Sequence, residues 1–337
     1  MRVAKLTSAR KIEMFEEDIP KIKNSDDVLV QVKAVGICGT DLHIFQGERA
    51  DVQLPRVMGH ELSGIVQEVG SNVTGLKVGD RVALDPVFAC NVCNICATGH
   101  ENVCDNVKCF GVQMDGGFQD YIVVGEKHLY AFDPSITFEQ AALAEPFSIA
   151  ANIHSRTMTT AEDKVVIMGS GTIGLALVQA AKGIGAKVLV SDVVDTKLQK
   201  AKDCGADVVV NSKNESLAEA VQKFSPGGAS VIIDAVGIAP LLEQSIELAA
   251  PVARVAVIGF DGKAAQIPPV KITKKELTLV GARMNCHKFP MVMEWLNEGK
   301  INADLMISKQ YSVNDIQKAF EETLANGGNI VKTVITF

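Results

Sequence analysis

Aromatic residues are scarce in this 337-residue sequence: they make up 5% of the chain and include one tryptophan. Basic residues are also in the minority, since 33 lysines and arginines stand against 40 aspartates and glutamates, giving a formal net charge of −7. Nucleic acids and anionic membranes bind basic surfaces, so we expect neither as a partner. The low aromatic content favours a small hydrophilic ligand over a bulky planar one.

The sequence also lacks a long apolar run. The longest uncharged stretch, residues 165–181, is interrupted by Gly169, Ser170 and Gly171, so it is too short and too turn-prone to cross a bilayer. The first twenty residues alternate charged and apolar side chains, which is unlike a secretory signal peptide. We therefore expect a soluble protein of the cytoplasm.

Cysteine, by contrast, is present eight times, and five of the eight lie between Cys90 and Cys109. A reducing cytoplasm keeps thiols free, so this cluster indicates a metal site rather than disulfides. Four thiolates in the pattern C-x2-C-x2-C-x7-C suit one tetrahedral zinc with no open position, which is typical of a structural site that cross-links a lobe over residues 87–109. Cys109 lies outside this pattern and has no assigned role, whereas Cys204 and Cys286 are interpreted as ordinary buried thiols. The predicted structural ligands are Cys90, Cys93, Cys96 and Cys104.

A chain of this length exceeds what one hydrophobic core usually supports, so two domains are expected. Residues 1–147 contain short β-branched runs separated by turn signals such as Gly70-Ser71-Asn72, which indicates a β-rich domain. From residue 148 strand and helix patterns alternate, which predicts a doubly wound parallel sheet in an α/β protein. After residue 286 the sequence predicts helices near 290–297 and 313–325 and a final strand over 330–337.

A glycine-rich turn opens the predicted second domain, after an apolar strand over 164–168 and before an apolar helix over 173–184. In a dinucleotide-binding turn the first glycine makes the bend, the second lets the pyrophosphate approach, and the third packs helix on strand. Asp192 ends the next strand, where a carboxylate bonds the ribose of NAD and repels the 2′-phosphate of NADP. The alternative is a glycine turn that binds nothing. The predicted NAD contacts here are Gly169, Gly171, Thr172, Ile173, Gly174 and Asp192.

Several short motifs give the chain a family resemblance over essentially its whole length. It resembles the zinc-containing medium-chain dehydrogenase/reductases, and its pattern is most similar to the sorbitol, threonine and sugar-acid dehydrogenase branch. The resemblance implies a GroES-like β-barrel catalytic domain (residues 1–147 and 286–337), a Rossmann NAD-binding domain (148–285), an active site in the cleft between them, and a homodimer or homotetramer. The motifs are Gly36–His43, Gly59-His60-Glu61, Asp115-Gly116-Gly117-Phe118, Glu145-Pro146, the glycine turn and the four-cysteine lobe.

The same resemblance implies a second, catalytic zinc. Cys38 and His60 match its ligands, and either Glu61 or Glu145 completes the set, directly or through water. Simple alcohol dehydrogenases have cysteine where this chain has Glu145, and the polyol branch has glutamate there. The resemblance further assigns three residues around the metal: Asp41 orients the zinc-bound histidine, Thr40 supplies the hydroxyl nearest the substrate oxygen, and His43 is the outer end of a proton relay.

Cofactor and substrate contacts follow from the resemblance as well. Lys197 matches a residue near the adenosine ribose, and Lys332 matches a basic group against the pyrophosphate. Val236 and Ile258 match positions that line the cofactor groove. Arg283 and Asn285 are candidates to bind a substrate carboxylate and hydroxyl, although Arg283 could equally pair with an acidic neighbour.

The expected activity is hydride transfer between a secondary alcohol of a polyol or sugar acid and NAD, with two zinc ions per chain. An L-threonine or short-chain diol dehydrogenase of the same family is the alternative within the enzyme class. A non-catalytic structural or binding descendant is the alternative outside it. Such a descendant would be expected to have lost a zinc ligand or the relay, and this sequence keeps both sets of residues.

Overall fold

A computed structural model of the chain describes residues 1–259 and 262–337. The strands are β1 (Arg2–Ser8), β2 (Lys11–Glu16), β3 (Asp27–Ile37), β4 (Glu61–Val69), β5 (Arg81–Leu84), β6 (Val87–Phe88), β7 (Lys108–Cys109), β8 (Tyr121–Gly125), β9 (Leu129–Ala131), β10 (Lys164–Met168), β11 (Lys187–Asp192), β12 (Val208–Asn211), β13 (Ala229–Asp234), β14 (Ala249–Val257), β15 (Thr278–Gly281), β16 (Ile307–Ser312) and β17 (Lys332–Thr336). The helices are α1 (Gly39–Gln46), α2 (Asn94–Ala97), α3 (Phe138–Ala142), α4 (Ala144–Arg156), α5 (Thr172–Ile184), α6 (Asp195–Asp203), α7 (Leu217–Phe224), α8 (Ala239–Leu248), α9 (Pro269–Thr273), α10 (Phe289–Asn297) and α11 (Ile316–Ala325).

These elements form two compact units. The first comprises residues 1–148, 285–299 and 307–337, and the second comprises residues 149–284 and 300–306. Each unit has its own buried apolar core, as independent domains require. Within the described residues, no helix combines the length and the apolar character needed to cross a membrane.

The first unit is built on a seven-stranded sheet in the order β16-β17-β3-β4-β5-β9, with β8 also paired to β3. Its central strand β3 carries valines at alternate positions, and almost all of its residues are buried or half-buried, because β17, β4 and β8 pair with it. The antiparallel pairing of β3 with β4 sets Gly36 opposite Glu61, and the pairing with β17 sets Ile37 opposite Thr333. The carboxyl end of β3 therefore meets the start of two other strands.

The second unit is a six-stranded parallel sheet in the order β12-β11-β10-β13-β14-β15. Its strands are apolar and buried, as strands covered on both faces must be. The chain runs outward from β10 in one direction and then from β13 in the other, so the strand order reverses between these two. Ligands of open α/β sheets bind beside such a reversal.

The predicted α/β fold with a β-rich part and a doubly wound sheet is confirmed, and the tail helices and last strand lie within a few residues of their predicted bounds. Several elements were not predicted, including the helices α1 and α4, the strand β16 and two short elements of the second unit. β15 has four residues, too few to show a periodic pattern, and α9 has five and begins with Pro269. β14 starts at Ala249 and passes through Val252 at a positive φ of 56°.

Candidate functional site

The four predicted structural thiols lie together in the first unit. Their sulfurs are separated by 3.5 Å (Cys93 to Cys96), 3.5 Å (Cys104 to Cys90), 3.8 Å (Cys93 to Cys104) and 4.0 Å (Cys90 to Cys96). A tetrahedral zinc with bonds of about 2.3 Å to sulfur separates its ligands by about 3.8 Å. The four thiols therefore already have the spacing of a closed zinc site. All eight cysteines of the chain are free thiols.

A second set of metal-binding side chains comes from two strand ends. Cys38 directly follows β3 and precedes α1, while His60 and Glu61 stand at the start of β4. Because β3 and β4 pair at this end, ligand atoms of Cys38, His60 and Glu61 lie within 4.8 Å of one another. The pairing of two neighbouring strands thus unites residues that are 22 or 23 positions apart.

Two atoms of this set are buried polar groups that no hydrogen bond satisfies: His60 Nδ1 and Glu61 Oε2. Such groups carry a desolvation cost, so native structures rarely keep them without a partner. A thiolate, an imidazole and a carboxylate are all zinc ligands, and three protein ligands leave one open position. The donor set, with the unsatisfied carboxylate oxygen of Glu61, therefore fits a catalytic zinc.

Asp41 lies beside the imidazole and is fixed by the backbone of both ligand-bearing segments. It accepts hydrogen bonds from the N–H groups of Cys38 (2.9 Å) and Gly59 (3.2 Å), and its Oδ1 is 3.6 Å from His60 Nδ1. Burial raises the pKa of Asp41. Burial opposes a charge on His60, but Asp41 and Cys38 outweigh it and hold the pKa of His60 well above its ordinary value. The negatively charged groups around the His60 imidazole therefore favour a positive charge at this position.

The structure gives Lys332, which was predicted to contact the cofactor pyrophosphate, two partners inside the first unit. Its ammonium group donates to Glu61 Oε1 at 2.6 Å and to the carbonyl of Ile37 at 3.1 Å, and its side chain is 1% exposed. The ammonium group of Lys332 thus holds Oε1 of Glu61, and Oε2 is the atom without a hydrogen bond.

Glu145 lies near this set without joining the group of close ligand atoms. It stands in the first turn of α4 and is buried. Burial, opposed by His60 and reinforced by Glu61, raises the pKa of Glu145 to about 7. Of the two carboxylates that the sequence left open as ligands, Glu61 lies in the ligand cluster and Glu145 lies within its electrostatic reach.

The motif Asp115–Phe118 forms hydrogen bonds with the segment that leads to His60. Gly116 and Gly117 donate to the carbonyls of Val57 and Gly59, each at 2.8 Å, and Asp115 Oδ1 accepts from the N–H of Val57 at 3.1 Å. A Cβ on Gly116 would stand 2.5 Å from the Gly59 carbonyl oxygen, so only glycine permits this approach. The sequence showed this motif as a family signature, and the structure gives it a physical task.

The Glu61 carboxylate packs directly against Gly36, in the space that a Cβ would fill. A Cβ there would lie 2.1 Å from Glu61 Oε2, whereas a Cβ on Gly39 would meet nothing within 4 Å. We expect Gly36→Ala to displace the carboxylate, weaken zinc retention and lower kcat/KM by about 10–100-fold, the range for residues that support a metal ligand. Metal analysis and steady-state kinetics check this, with Gly39→Ala as the matched control. If Gly36→Ala and Gly39→Ala had the same kcat/KM, the enzyme would not depend on the present position of the Glu61 carboxylate.

The two predicted relay residues both lie on α1. Thr40 is half-buried in its first turn, and His43 follows three positions later, which places the two on one side of the helix. The His43 side chain is 62% exposed, and its Nδ1 lies 2.6 Å from Glu48 Oε2. An exposed imidazole at the end of a short helix can exchange protons with water.

Cys109, to which the sequence gave no role, lies within the electrostatic reach of the same site. Burial raises the pKa of its thiol to about 12, and the charges acting on it include His60, Glu145 and Cys38. Its sulfur lies 3.5 Å from the carbonyl of Phe110. No local signal could have shown this, because the spacing of Cys109 only separates it from the four-cysteine pattern.

In the second unit, the glycine turn has the geometry that its spacing predicts. Gly169 follows β10 with a φ of 99°, and Gly171 is the residue before α5. A Cβ on Gly174 would lie 2.0 Å from the Gly169 carbonyl oxygen, so the third glycine is required for helix and strand to pack. Thr172 and Ile173 open the helix and present its first N–H groups, where an anion is favoured.

Asp192 ends β11 and is bonded to this turn. One carboxylate oxygen accepts from the N–H (2.7 Å) and the hydroxyl (2.8 Å) of Ser170, and the other accepts from the N–H groups of Val193 (2.7 Å) and Val194 (3.0 Å). A carboxylate offers about four acceptor positions. Asp192 is therefore held in one orientation, and the Ser170 hydroxyl is the partner that a ribose hydroxyl could replace.

The other predicted cofactor residues lie on neighbouring loops of the second unit. Val236 packs so close to Gly169 that a Cβ there would meet its methyl group at 2.7 Å. Ile258 is half-buried beside Gly259, which makes a close backbone contact with Gly237. Lys197 is half-buried in the first turn of α6. The loops after β10, β13 and β14 thus meet at the reversal of strand order.

The two candidate substrate residues have different surroundings. Arg283 is exposed, in the segment whose carbonyls at residues 283 and 284 lie near the amide of Asn152. Asn285 is buried, with 1% exposure, and its amide donates to Asp85 Oδ1 at 3.0 Å. The structure thus gives the Asn285 amide nitrogen an internal partner, while its Oδ1 is buried without a hydrogen bond, and both residues stay candidates.

Comparison with known proteins gives concordant results over the whole chain. Residues 24–134 match the alcohol dehydrogenase GroES-like domain, and residues 172–298 match the zinc-binding dehydrogenases. The chain is 35% identical to L-idonate 5-dehydrogenase of Vitis vinifera over 91% of this chain and 87% of that protein. It is 34% identical to D-arabitol-phosphate dehydrogenase of Enterococcus avium, over 92% and 90%. A solved structure of a short chain alcohol dehydrogenase (rspB) from Escherichia coli CFT073, complexed with NADH, superposes with a TM-score of 0.94 at 34% identity over 100% of this chain and 99% of that one.

Proposed function

The chain belongs to the zinc-dependent alcohol dehydrogenases of the medium-chain dehydrogenase/reductase family, and from that premise we propose that its substrate is a polyol or sugar acid oxidised at a secondary hydroxyl. The enzyme is NAD-dependent and uses zinc. The observation that carries the proposal is the open three-residue set of Cys38, His60 and Glu61, with two buried atoms that lack a partner. The four-thiol set is closed and has no open position for chemistry, whereas this set of three ligands leaves one.

Cys38, His60 and Glu61 would hold the catalytic zinc, with Glu145 close enough to act through water. Bound zinc supplies Lewis-acid polarisation of a hydroxyl oxygen, and NAD supplies a hydride acceptor. Asp41 keeps the His60 imidazole in place, and Lys332 keeps the Glu61 carboxylate in place. Thr40 would act as a relay that accepts the substrate hydroxyl proton while giving up its own, and His43 would release a proton to solvent.

The division of labour between the two units follows from their contents. We assign catalysis to the first unit, which carries both proposed zinc sets, and NAD binding to the second, which carries the glycine turn and Asp192. The net charge of −7 supports a small-molecule substrate over a nucleic acid or a membrane surface. We further propose a cytoplasmic homodimer or homotetramer, which size-exclusion chromatography with light scattering would test.

Cofactor choice is expected to depend on Asp192. Replacing Asp192 by alanine removes a ribose acceptor and a charge that repels a 2′-phosphate, so NAD should bind about 10–100-fold more weakly and its advantage over NADP should narrow. Steady-state kinetics with both cofactors measures this, and Asp203→Ala at the other end of α6 is the control. A lowered melting temperature with an unchanged NAD/NADP ratio would restrict Asp192 to bracing the glycine turn.

Two features support a hydroxylated substrate with an acidic group. Glu145 stands near the proposed reaction centre, where its carboxylate can accept a hydrogen bond from a further hydroxyl. L-idonate, the substrate in the name of one relative, carries a carboxylate. Arg283 is an exposed guanidinium that can bind a carboxylate through two parallel hydrogen bonds. L-threonine and short-chain diols are the second candidate substrates.

A panel of sugar acids, matching neutral alditols, L-threonine and butanediol, followed by NADH absorbance, tests the proposal. Sugar acids are expected to give the highest kcat/KM, and Arg283→Ala is expected to lower it by about 10–100-fold for acids while leaving alditols nearly unchanged. Arg283→Lys should recover part of the loss, because a point charge cannot replace the planar fork. An equal loss for acids and alditols would move the substrate to uncharged polyols.

A further inference from the structure

A third group of metal-binding side chains lies in the first unit, apart from both sets described above. Glu101 begins the short 3₁₀ helix Glu101–Val103 inside the four-cysteine lobe, and Cys286 and His287 precede α10. The ligand atoms of these three residues lie within 4.8 Å of one another. The enzyme's reaction as proposed above uses none of them.

The backbone conformation at His287 brings the adjacent side chains of Cys286 and His287 close to Glu101. In extended chain, neighbouring side chains point to opposite sides. His287 has a φ of 54°, a left-handed conformation that residues other than glycine rarely adopt, and this breaks the alternation. As a result the His287 Nε2 lies 2.7 Å from Glu101 Oε2, and the Cys286 sulfur remains close to both.

The chemistry of the group fits a cation better than a reactive thiol. The Cys286 thiol donates to the Gly99 carbonyl at 3.1 Å, and binding of zinc would release this proton because zinc binds the thiolate. The charges acting on it include the carboxylates of Glu101 and Asp85 and the ammonium of Lys288. Zinc sites in proteins combine these donor types, namely thiolate, imidazole and carboxylate.

We propose that Glu101, Cys286 and His287 form a further zinc site, which fastens the segment before α10 to the four-cysteine lobe. With bonds of about 2.0–2.2 Å, tetrahedral zinc separates nitrogen and oxygen ligands by about 3.4 Å, so Glu101 and His287 need to part only slightly from their present contact. The His287 side chain is 63% exposed, so water can fill the fourth position. This inference does not depend on the substrate or on the catalytic zinc.

The test counts zinc in the full-length enzyme after zinc loading and gel filtration. Wild type is expected to retain one zinc ion per chain more than Cys286→Ser, His287→Ala or Glu101→Gln. Two matched controls should keep the wild-type count: Cys204→Ser, a thiol in the second unit, and His100→Ala, an exposed histidine next to Glu101. Because the measured quantity is a difference from wild type, it stands whether or not the proposed substrate is correct.

A second readout follows the thiol itself. Added Zn²⁺ should protect Cys286 from alkylation by iodoacetamide in wild type and fail to do so in His287→Ala, as read by peptide mass spectrometry. Equal zinc counts in wild type and all three variants would overturn the proposal and reduce the cluster to an ion pair beside a thiol hydrogen bond. Loss of zinc in His287→Ala but not in Cys286→Ser would overturn it too, since the ion would then be held at the surface without the thiol.

Discussion

Replacing His60 by alanine is expected to abolish turnover, with a loss in kcat on the order of 10³-fold or more, and to leave a folded protein that still binds NADH. The loss corresponds to about 4 kcal/mol, the scale of charge stabilisation that a metal ion supplies to a developing oxyanion. NADH binding should survive because the glycine turn and Asp192 lie in the second unit, and His60 lies in the first. Cys38→Ser is expected to behave in the same way.

Three measurements separate this outcome from general damage. Metal analysis should show one zinc fewer than wild type, because the four-thiol site is untouched. NADH fluorescence should give a dissociation constant close to that of wild type, and circular dichroism should be unchanged. Cys204→Ser, which removes a buried thiol bonded to Gln179 in the second unit, is the control for Cys38→Ser. Substantial turnover in His60→Ala with full zinc content would place the reaction centre elsewhere.

The two zinc sets differ in how far the sequence could reveal them. The four structural thiols lie within fifteen residues, so their spacing alone predicts a shared ligand. Cys38 and His60 are joined only by the pairing of β3 with β4, which no local pattern shows. For these the resemblance to a known family supplied the prediction, and the structure supplies the geometry that brings the side chains together.

The resemblance pointed to Lys332 as a functional residue but did not reveal its hydrogen-bond partner, Glu61. Lys332 lies 271 positions from Glu61 and reaches it because β17 returns to pair with β3. A signal was available in the sequence, since a lysine in the apolar run Ile330–Phe337 is a charge entering a core and requires an opposite charge there. That reasoning indicates a buried partner but cannot choose it, because many carboxylates are available.

Asn285 and Asp85 give the same lesson at a distance of 200 positions. The resemblance made Asn285 a candidate to bind a substrate hydroxyl, and it gave no indication of a partner within the protein. The fold buries the side chain instead and pairs it with a carboxylate. In contrast, the glycine turn and Asp192 were predictable in detail, because strand, turn and helix are consecutive in the chain.

Cys96→Ser is expected to lower stability and leave the chemistry of the surviving enzyme intact. Cys96 is buried among the other three sulfurs, and losing one thiolate of four weakens the cross-link that holds the lobe. The lobe has little apolar core of its own, so the loss should resemble removal of a native disulfide, about 2–5 kcal/mol. For a domain of this size that corresponds to a fall in melting temperature of roughly 4–20 °C.

Differential scanning fluorimetry and metal analysis check the expectation, with Cys204→Ser as the thiol control outside the lobe. A chelator titration should carry wild type toward the melting temperature of Cys96→Ser, because both treatments remove the same constraint. NADH binding and kcat per folded molecule should stay near wild type, since neither depends on the four thiols. An unchanged melting temperature together with loss of turnover would reverse the assignment and make the four-thiol site part of the reaction centre.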